Sequence, residues 1–345
     1  MLQGEHNGSL NGEDTMDCLK LADEIIGGRR LTREDDLNGF VTADLEELRT
    51  GADRIRAYFI GDKVDLCTII SGRSGKCSEN CKFCAQSASH HTACDIYDLM
   101  DEEEIISAAR ENQKEGVSRF SIVNSGKSPL PRDFEKIVSV FRKMHETLEI
   151  DLCCSLGFMT AEQFKRLHEA GVRSVHCNLE TSRRFFPSIC TTHTYEEKIE
   201  NIRRAQQEGM RVCSGGIIGM GESWEDRIDL ALELAGLGIF SIPINSLMPI
   251  PGTPLQDLPR LSEEEILRTI AIFRYIDPEA DIRLAGGRAL MRNNGRETFT
   301  SGASASITGN MLTTSGSTIA SDKAMLKELG RDTTPVWMRP DGQRA

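Results

Sequence analysis

From residue 66 onward, short apolar runs alternate with longer amphipathic stretches. Leu66–Ser71, Ser118–Val123, Asp151–Leu156, Ser174–Leu179, Arg211–Ile217, Ile239–Ser246 and Asp281–Ala285 have the length and composition of strands, and Ser306–Leu312 is a weaker candidate. Between them, Asp101–Glu115, Pro131–Glu146, Thr160–Ala170, Tyr195–Glu208, Trp224–Ala235 and Ser262–Tyr275 carry apolar residues three and four apart, the spacing of one helix face. Thr160 followed by Gln163 has the form of a capping box. This alternation predicts an α/β fold with parallel strands. Eight strand–helix units close into a (β/α)8 TIM-type barrel, whereas five or six leave an open doubly wound sheet; the number of runs favours the barrel. Active-site residues are then expected at strand C-terminal ends and in the loops beyond them.

Ahead of this region, Asp17–Ile26 and Ala43–Ile60 read as amphipathic helices separated by a polar stretch containing Gly27 and Gly28. The expected division is an N-terminal helical extension over 1–60, the barrel over 61–330 and a C-terminal tail over 331–345. Residues 1–15 are polar and mildly acidic, without the basic start or apolar segment of a secretory signal. No run has the length of a membrane span, so the expected compartment is the cytoplasm. Lys and Arg number 41 against 53 Asp and Glu, a formal charge of −12, which gives no general attraction to phosphate backbones or anionic lipid. Neither nucleic acid nor a membrane is an expected partner. Eleven cysteines, in a compartment that keeps thiols reduced, point to metal or cluster ligation rather than to disulfides.

Three of those thiols fall together. The first predicted strand runs into Gly72-Arg-Ser-Gly-Lys76 and then Cys77-Ser-Glu-Asn-Cys81-Lys-Phe-Cys84. A loop with this spacing can place three sulfurs at corners of an iron–sulfur cube and leave one iron open, with Lys76 and Lys82 helping to lower the thiol pKa values. The alternative is a structural zinc site, which prefers paired C-x-x-C units and a fourth ligand, for which Cys94 is available. The position directly after a strand favours chemistry.

Cys77-x-x-x-Cys81-x-Phe83-Cys84 resembles the signature of the radical S-adenosylmethionine superfamily. Within it, Cys77-Ser-Glu-Asn-Cys81-Lys-Phe-Cys84-Ala-Gln-Ser, Asn178-Leu-Glu180-Thr-Ser, Val212-Cys213-Ser-Gly-Gly-Ile-Ile-Gly-Met-Gly-Glu222, Pro243-Ile-Asn245 and Ile282-Arg283-Leu-Ala-Gly-Gly-Arg288 are similar, in order, to the biotin synthase family. The resemblance covers roughly residues 45–330. It implies a 4Fe-4S cluster on the Cys77, Cys81 and Cys84 thiolates that cleaves S-adenosylmethionine to a carbon radical, and sulfur insertion into dethiobiotin to give biotin. It also implies a small reducing protein as electron donor, and a homodimer.

The resemblance also distributes the remaining residues. Asn178 and Glu180 alternate along one strand and so share a face; with Phe83 and the glycine-rich segment bearing Ile217 and Ile218 they are expected to bind S-adenosylmethionine. Asn245 can both donate to and accept from a cyclic urea, and by resemblance binds the substrate, with help from Asn178. His193 stands where relatives carry an arginine able to hold the S-adenosylmethionine carboxylate, and can offer one hydrogen bond without a permanent charge.

Cys153, Cys213 and Arg283 match three of four places that hold the family's auxiliary, sulfide-donating cluster, whose best-known form is 2Fe-2S. The fourth place, in Arg119-Phe120-Ser121-Ile122, holds serine instead of cysteine. A serine hydroxyl is a poor ligand for iron–sulfur chemistry compared with a thiolate. Strand parity turns Cys154 and Cys177 away from the interior set, which leaves Cys190. The expectation is that Cys153, Cys190 and Cys213 hold a differently constituted cluster of up to four irons, with Arg283 beside it or ligating it. Cys18, Cys67 and Cys94 are read as ordinary residues. The competing readings are another radical enzyme of the subgroup, such as a maturase, and a non-enzymatic iron or zinc carrier.

Overall fold

The computed structural model describes residues 16–309, 317–335 and 338. The expectations for residues 1–15, for the end of the Ser306–Leu312 run and for most of the tail lie outside the described residues. Nine parallel strand segments form the sheet: β1 (Asp65–Arg73), β2 (Arg119–Asn124), β3 (Asp151–Ser155), β4 (Ser174–His176), β5 (Arg211–Cys213), β6 (Gly216–Ile218), β7 (Ser241–Ser246), β8 (Asp281–Leu284) and β9 (Ala305–Ile307). Their hydrogen-bonded order is β5-β4-β3-β2-β1-β9-β8-β7-β6, and β5 also pairs with β7, so the sheet closes. β5 and β6 are two pieces of one barrel strand, since both pair with β7. The Arg211–Ile217 run is therefore broken at Ser214-Gly215, and the cause is steric. A Cβ on Gly215 would lie 2.0 Å from the carbonyl oxygen of Pro243, an approach of backbones that only glycine permits.

Outside the strands lie α4 (Glu102–Lys114), α5 (Pro131–Thr147), α6 (Ala161–Glu169), α7 (Tyr195–Gln207), α8 (Trp224–Gly236) and α9 (Glu263–Ile276), within two residues of the predicted bounds at each end. Reciprocal capping boxes start α6, α7, α8 and α9 (Thr160 with Gln163, Thr194 with Glu197, Ser223 with Asp226, Ser262 with Glu265). A further helix, α10 (Ile319–Glu328), has a weak apolar stripe and is pinned instead by a bidentate ion pair. Both Asp322 carboxylate oxygens accept from Arg288 at 2.7 Å. The N-terminal helices α1 (Cys18–Ile26), α2 (Gly39–Thr42) and α3 (Leu45–Phe59) dock on α9. There the Tyr275 hydroxyl donates to the Cys18 carbonyl at 2.8 Å and Arg268 donates to the carbonyls of Phe40 (2.9 Å) and Ala43 (2.7 Å). No described helix is long and apolar enough to cross a membrane.

Inside a closed barrel, inward side chains stack in layers of four drawn from alternate strands. The register identifies them. From Cys67 the pairing runs through Arg119 to Asp151 on β3, and two residues further along lies Cys153. The same step through Ser174 and Arg211 leads to Cys213, through Ser241 and Asp281 to Arg283, and through Ala305 and Asp65 back to Cys67. These residues form one layer. Ser121, His176, Pro243 and Ile307 close the layer above it by the same steps. Arg119, Ser174, Ser241 and Ala305, each two residues earlier on its strand, form the layer below.

Candidate active site

A cavity of about 320 Å³ runs from the C-terminal mouth of the barrel down to the thiol layer. Phe83, Asn178, Glu180, Ile217 and Asn245 line its upper part, and Cys67, Cys153, Cys213, Arg119 and Arg283 line its lower end.

The triplet loop leaves β1 through two left-handed residues, Gly75 (φ 74°) and Lys76 (φ 52°). It then closes on itself. The Cys77 amide donates to the Gln86 carbonyl at 3.0 Å, Ala88 donates back to the Cys77 carbonyl at 2.8 Å, and Cys84 donates to the Cys81 carbonyl at 3.0 Å. Lys82 donates to the Ile189 carbonyl at 3.0 Å and Asn80 Nδ2 to Thr191 Oγ1 at 2.7 Å, which ties the loop to the segment after β4. All eleven cysteines are free, and the three triplet thiols are half-buried. Burial pushes the Cys84 thiol up to about 11.

That tie corrects two expectations. Cys190 Sγ lies 3.7 Å from Cys81 Sγ and 3.4 Å from His193 Nδ1, and it does not line the cavity. The segment carrying it folds over the triplet loop rather than down into the barrel, so Cys190 is not a member of the Cys153 and Cys213 layer. His193 is likewise buried outside the cavity. Its Nδ1 is paired with the Glu79 carboxylate, and its ring packs against Phe158 and Phe186, so it is committed to the protein rather than free for a ligand carboxylate.

Asn178 and Glu180 do share the cavity wall. Asn178 Oδ1 accepts from the Gly215 amide at 2.9 Å, and its Nδ2 donates to Glu180 Oε2 at 3.3 Å. Glu180 itself has φ 73°, a left-handed conformation costly for a side-chain-bearing residue. Hydrogen bonds from its amide to the Gly215 carbonyl (3.1 Å) and to its carbonyl from Ile217 (2.8 Å) hold it there. Sequence reasoning missed Lys198, whose Nζ donates to the Asn178 carbonyl at 2.9 Å and lies 3.9 Å from Glu180 Oε1. Burial opposes its charge, and Glu180 together with the Cys177, Cys81 and Cys190 thiols outweighs burial and keeps the ammonium above its ordinary value. The signal was present, because Lys198 falls on the apolar face of α7 between Tyr195 and Ile202.

Of the two isoleucines only Ile217 lines the cavity. Ile218, the next residue on the strand, points the other way into the core, as strand alternation requires. Beyond them the Glu222 carboxylate accepts from the Gly219 and Met220 amides, both at 2.7 Å, and from Arg227 Nε at 2.8 Å, which shapes the loop over the cavity. Asn245 lies across from it. Its Nδ2 donates to the Gly216 carbonyl at 3.1 Å and its Oδ1 accepts from Gly286 at 3.0 Å, leaving one N–H and one lone pair for a ligand.

At the bottom, Cys153, Cys213, Cys67 and Arg283 are all buried. Arg283 Nε donates to Ser241 Oγ at 3.1 Å, Nη1 donates to the carbonyls of Asp65 and Ser306 at 3.1 Å, and Nη2 pairs with the Asp65 carboxylate. Arg119 Nη1 reaches the same carboxylate at 3.2 Å. Burial works against the Asp65 charge, and the two guanidiniums overcome it and hold the carboxyl near 2. Burial raises the Cys153 and Cys213 thiols and pushes His176, in the layer above, down to about 4, so this imidazole is neutral. Cys154 sits in the core between sheet and helices, as strand parity indicated.

Residues 73–234 match the radical SAM superfamily and residues 243–332 the Biotin and Thiamin Synthesis associated domain. The chain is 55% identical over 311 residues to the biotin synthase of Clostridium beijerinckii, covering 90% of this chain and 98% of that protein. It is 55% identical over 315 residues to the biotin synthase of Alkaliphilus metalliredigens, covering 91% and 99%. The chain belongs to the biotin synthase family.

Members of the biotin synthase family are radical S-adenosylmethionine enzymes with a 4Fe-4S cluster and a second iron–sulfur cluster, and the donor sets here fit both. The triplet offers three accessible soft ligands in one short loop. The lower cavity offers thiols together with a buried donor, Arg119 Nε, that has no partner, as expected around an anionic group. Among solved structures, methylornithine synthase superposes with a TM-score of 0.79 at 20% identity, covering 90% of this chain and 96% of that one. The hydrogenase maturase HydG gives 0.77 at 18% identity, covering 91% and 74%. Both show the shared barrel.

Proposed function

We propose that this chain, as a biotin synthase, divides sulfur insertion into dethiobiotin between the two ends of one cavity. When bound, the 4Fe-4S cluster with S-adenosylmethionine supplies a carbon radical able to break unactivated C–H bonds, and the second cluster supplies sulfur. The protein binds, orients and shields. The Cys77, Cys81 and Cys84 thiolates hold the first cluster, and Phe83 forms the wall beside it. Asn178 and Glu180 receive the amine and hydroxyl groups of S-adenosylmethionine, with Lys198 fixing the Glu180 carboxylate and Ile217 covering the apolar face of the nucleoside. Asn245 directs its free N–H and lone pair at the ureido ring of dethiobiotin, with Asn178 beside it. Cys153, Cys213 and Arg283 hold the second cluster below the substrate, of 2Fe-2S or four-iron type. His193 and Cys190 brace the triplet loop from outside. A small reducing protein delivers the electrons to a cytoplasmic homodimer that engages neither nucleic acid nor membrane.

The observation that carries this reading is the single cavity, with the triplet loop at its mouth and the thiol layer at its closed end. Anaerobically reconstituted protein given S-adenosylmethionine, a reductant and dethiobiotin is expected to form 5′-deoxyadenosine and biotin together. Cleavage that ignores dethiobiotin would favour a maturase-like enzyme instead, and no cleavage at all would favour a metal carrier.

A further inference from the structure

Cys67 has no partner that explains a buried thiol. The contact its Sγ makes is with the neighbouring Thr68 carbonyl at 3.6 Å, a weak local interaction. The register nevertheless places it in the closed layer that contains Cys153, Cys213 and Arg283, between Arg283 on one side and Cys153 on the other. The four strand positions β1, β3, β5 and β8 are the odd ones of the eight-stranded barrel, and their inward residues meet at one height. Ser121 lies one layer higher, level with His176, Pro243 and Ile307, and it offers no thiol. A second observation points to a ligand at the same depth. Arg119, 5% exposed, lines this end of the cavity and leaves its Nε without a hydrogen-bond partner. Two guanidiniums, Arg119 and Arg283, face the space with one close carboxylate, Asp65, behind them, which favours an anionic occupant.

We infer that Cys67 supplies the third thiolate of the second cluster, with Cys153 and Cys213, in place of the residue at position 121. The inference rests on the proposed function and adds a ligand to it. The thiol is moved from β2 to β1, and three sulfurs and a guanidinium then encircle the cluster from a single layer instead of two. Soft thiolates suit iron–sulfur centres where a serine hydroxyl does not. The unpartnered Arg119 Nε then serves as a hydrogen-bond donor to the cluster's periphery.

The test reconstitutes the full chain and its Cys67→Ala, Cys67→Ser, Cys153→Ala and Ser121→Ala variants with iron and sulfide in the absence of oxygen. Iron and sulfide per chain are counted, and Mössbauer and EPR spectra are recorded. Cys67→Ala and Cys67→Ser are expected to lose the second cluster's iron and signals as completely as Cys153→Ala, while the triplet cluster's signal persists in each and reports a folded chain. Ser121→Ala is expected to keep both clusters. If Cys153→Ala loses the second cluster while both Cys67 variants keep it, the assignment of Cys67 is overturned and the proposed function stands. If Cys153→Ala also leaves iron and spectra unchanged, the reading of a second cluster at this depth falls, and the assignment with it.

Discussion

Replacing Glu222 by alanine tests how the loop over the cavity is held. The carboxylate, 1% exposed, is the shared acceptor of two backbone amides and of Arg227 Nε. Arg227 stacks on Trp224 with its guanidinium carbon 4.4 Å from the ring, and its other polar neighbours are distant: Thr269 Oγ1 at 3.4 Å and Glu265 at 3.8 Å. Removing one member of a buried ion pair costs about 3–5 kcal/mol, because the other charge stays buried. Each amide left unmet adds about 1 kcal/mol where water can partly replace the carboxylate. The expected loss for Glu222→Ala is therefore about 5–7 kcal/mol, a large fraction of a typical total of about 5–15 kcal/mol. Glu222→Gln keeps one acceptor oxygen and should cost about 2 kcal/mol. Urea unfolding of the variants measures both values. Adding Arg227→Leu to Glu222→Ala removes the stranded charge and should recover part of the stability. S-Adenosylmethionine affinity should fall by about tenfold in Glu222→Ala, a change of about 1.4 kcal/mol, because Gly219 and Met220 follow Ile217. If Glu222→Ala unfolds within about 1 kcal/mol of the parent and the double variant is no better, the carboxylate does not organise this loop.

Arg288→Met should cost about 3–5 kcal/mol by stranding Asp322, and Asp322→Leu added to it should recover much of that; hydrogen exchange over α10 checks whether the loss is local. The Asp226 carboxyl is buried, and burial is outweighed by hydrogen bonds from Ser182, Ser223 and Arg184 that hold it near 2, below its unfolded value of 3.8. Its contribution, about 1–2 kcal/mol, is therefore complete above pH 4 and lost as pH falls toward 2. In acid titration of stability, Asp226→Asn should be less stable at neutral pH and show a shallower decline below pH 4. Cys190→Ala should leave the second cluster's iron and spectra unchanged, since its sulfur lies at the triplet loop. Asn245→Ala should weaken dethiobiotin binding by about 10–100-fold with little change in S-adenosylmethionine affinity, read by equilibrium dialysis.

Much of the barrel was legible because most of its strands are short apolar runs and its helices carry apolar residues at three- and four-residue spacing, four of them behind a capping box. Where tertiary contact decides, the pattern is silent. The break at Gly215 depends on a carbonyl from a strand about 28 residues away, and α10 depends on an arginine 34 residues before its partner. The site divides in the same way. Local alternation correctly separates Cys153 from Cys154, and it could have separated Ile217 from Ile218. It says nothing of how a long segment such as the one bearing Cys190 is routed. Cys67 is the sharper case: parity turns it inward, but its height relative to Cys153 and Cys213 emerges only when the pairing of every strand around the ring is known.

The layer beneath the thiols has a consequence for traffic. Arg119, Ser174, Ser241 and Ala305 are all at most 5% exposed, and the ion pairs of Asp65 lock the base from below. The chamber is thus a blind well, and on the proposed function iron or sulfide bound for its bottom would descend past Phe83 and Asn245, the route dethiobiotin would also take. On that reading, repair of a spent centre and occupancy by the vitamin precursor would exclude one another, and refurbishment would wait for the product to depart.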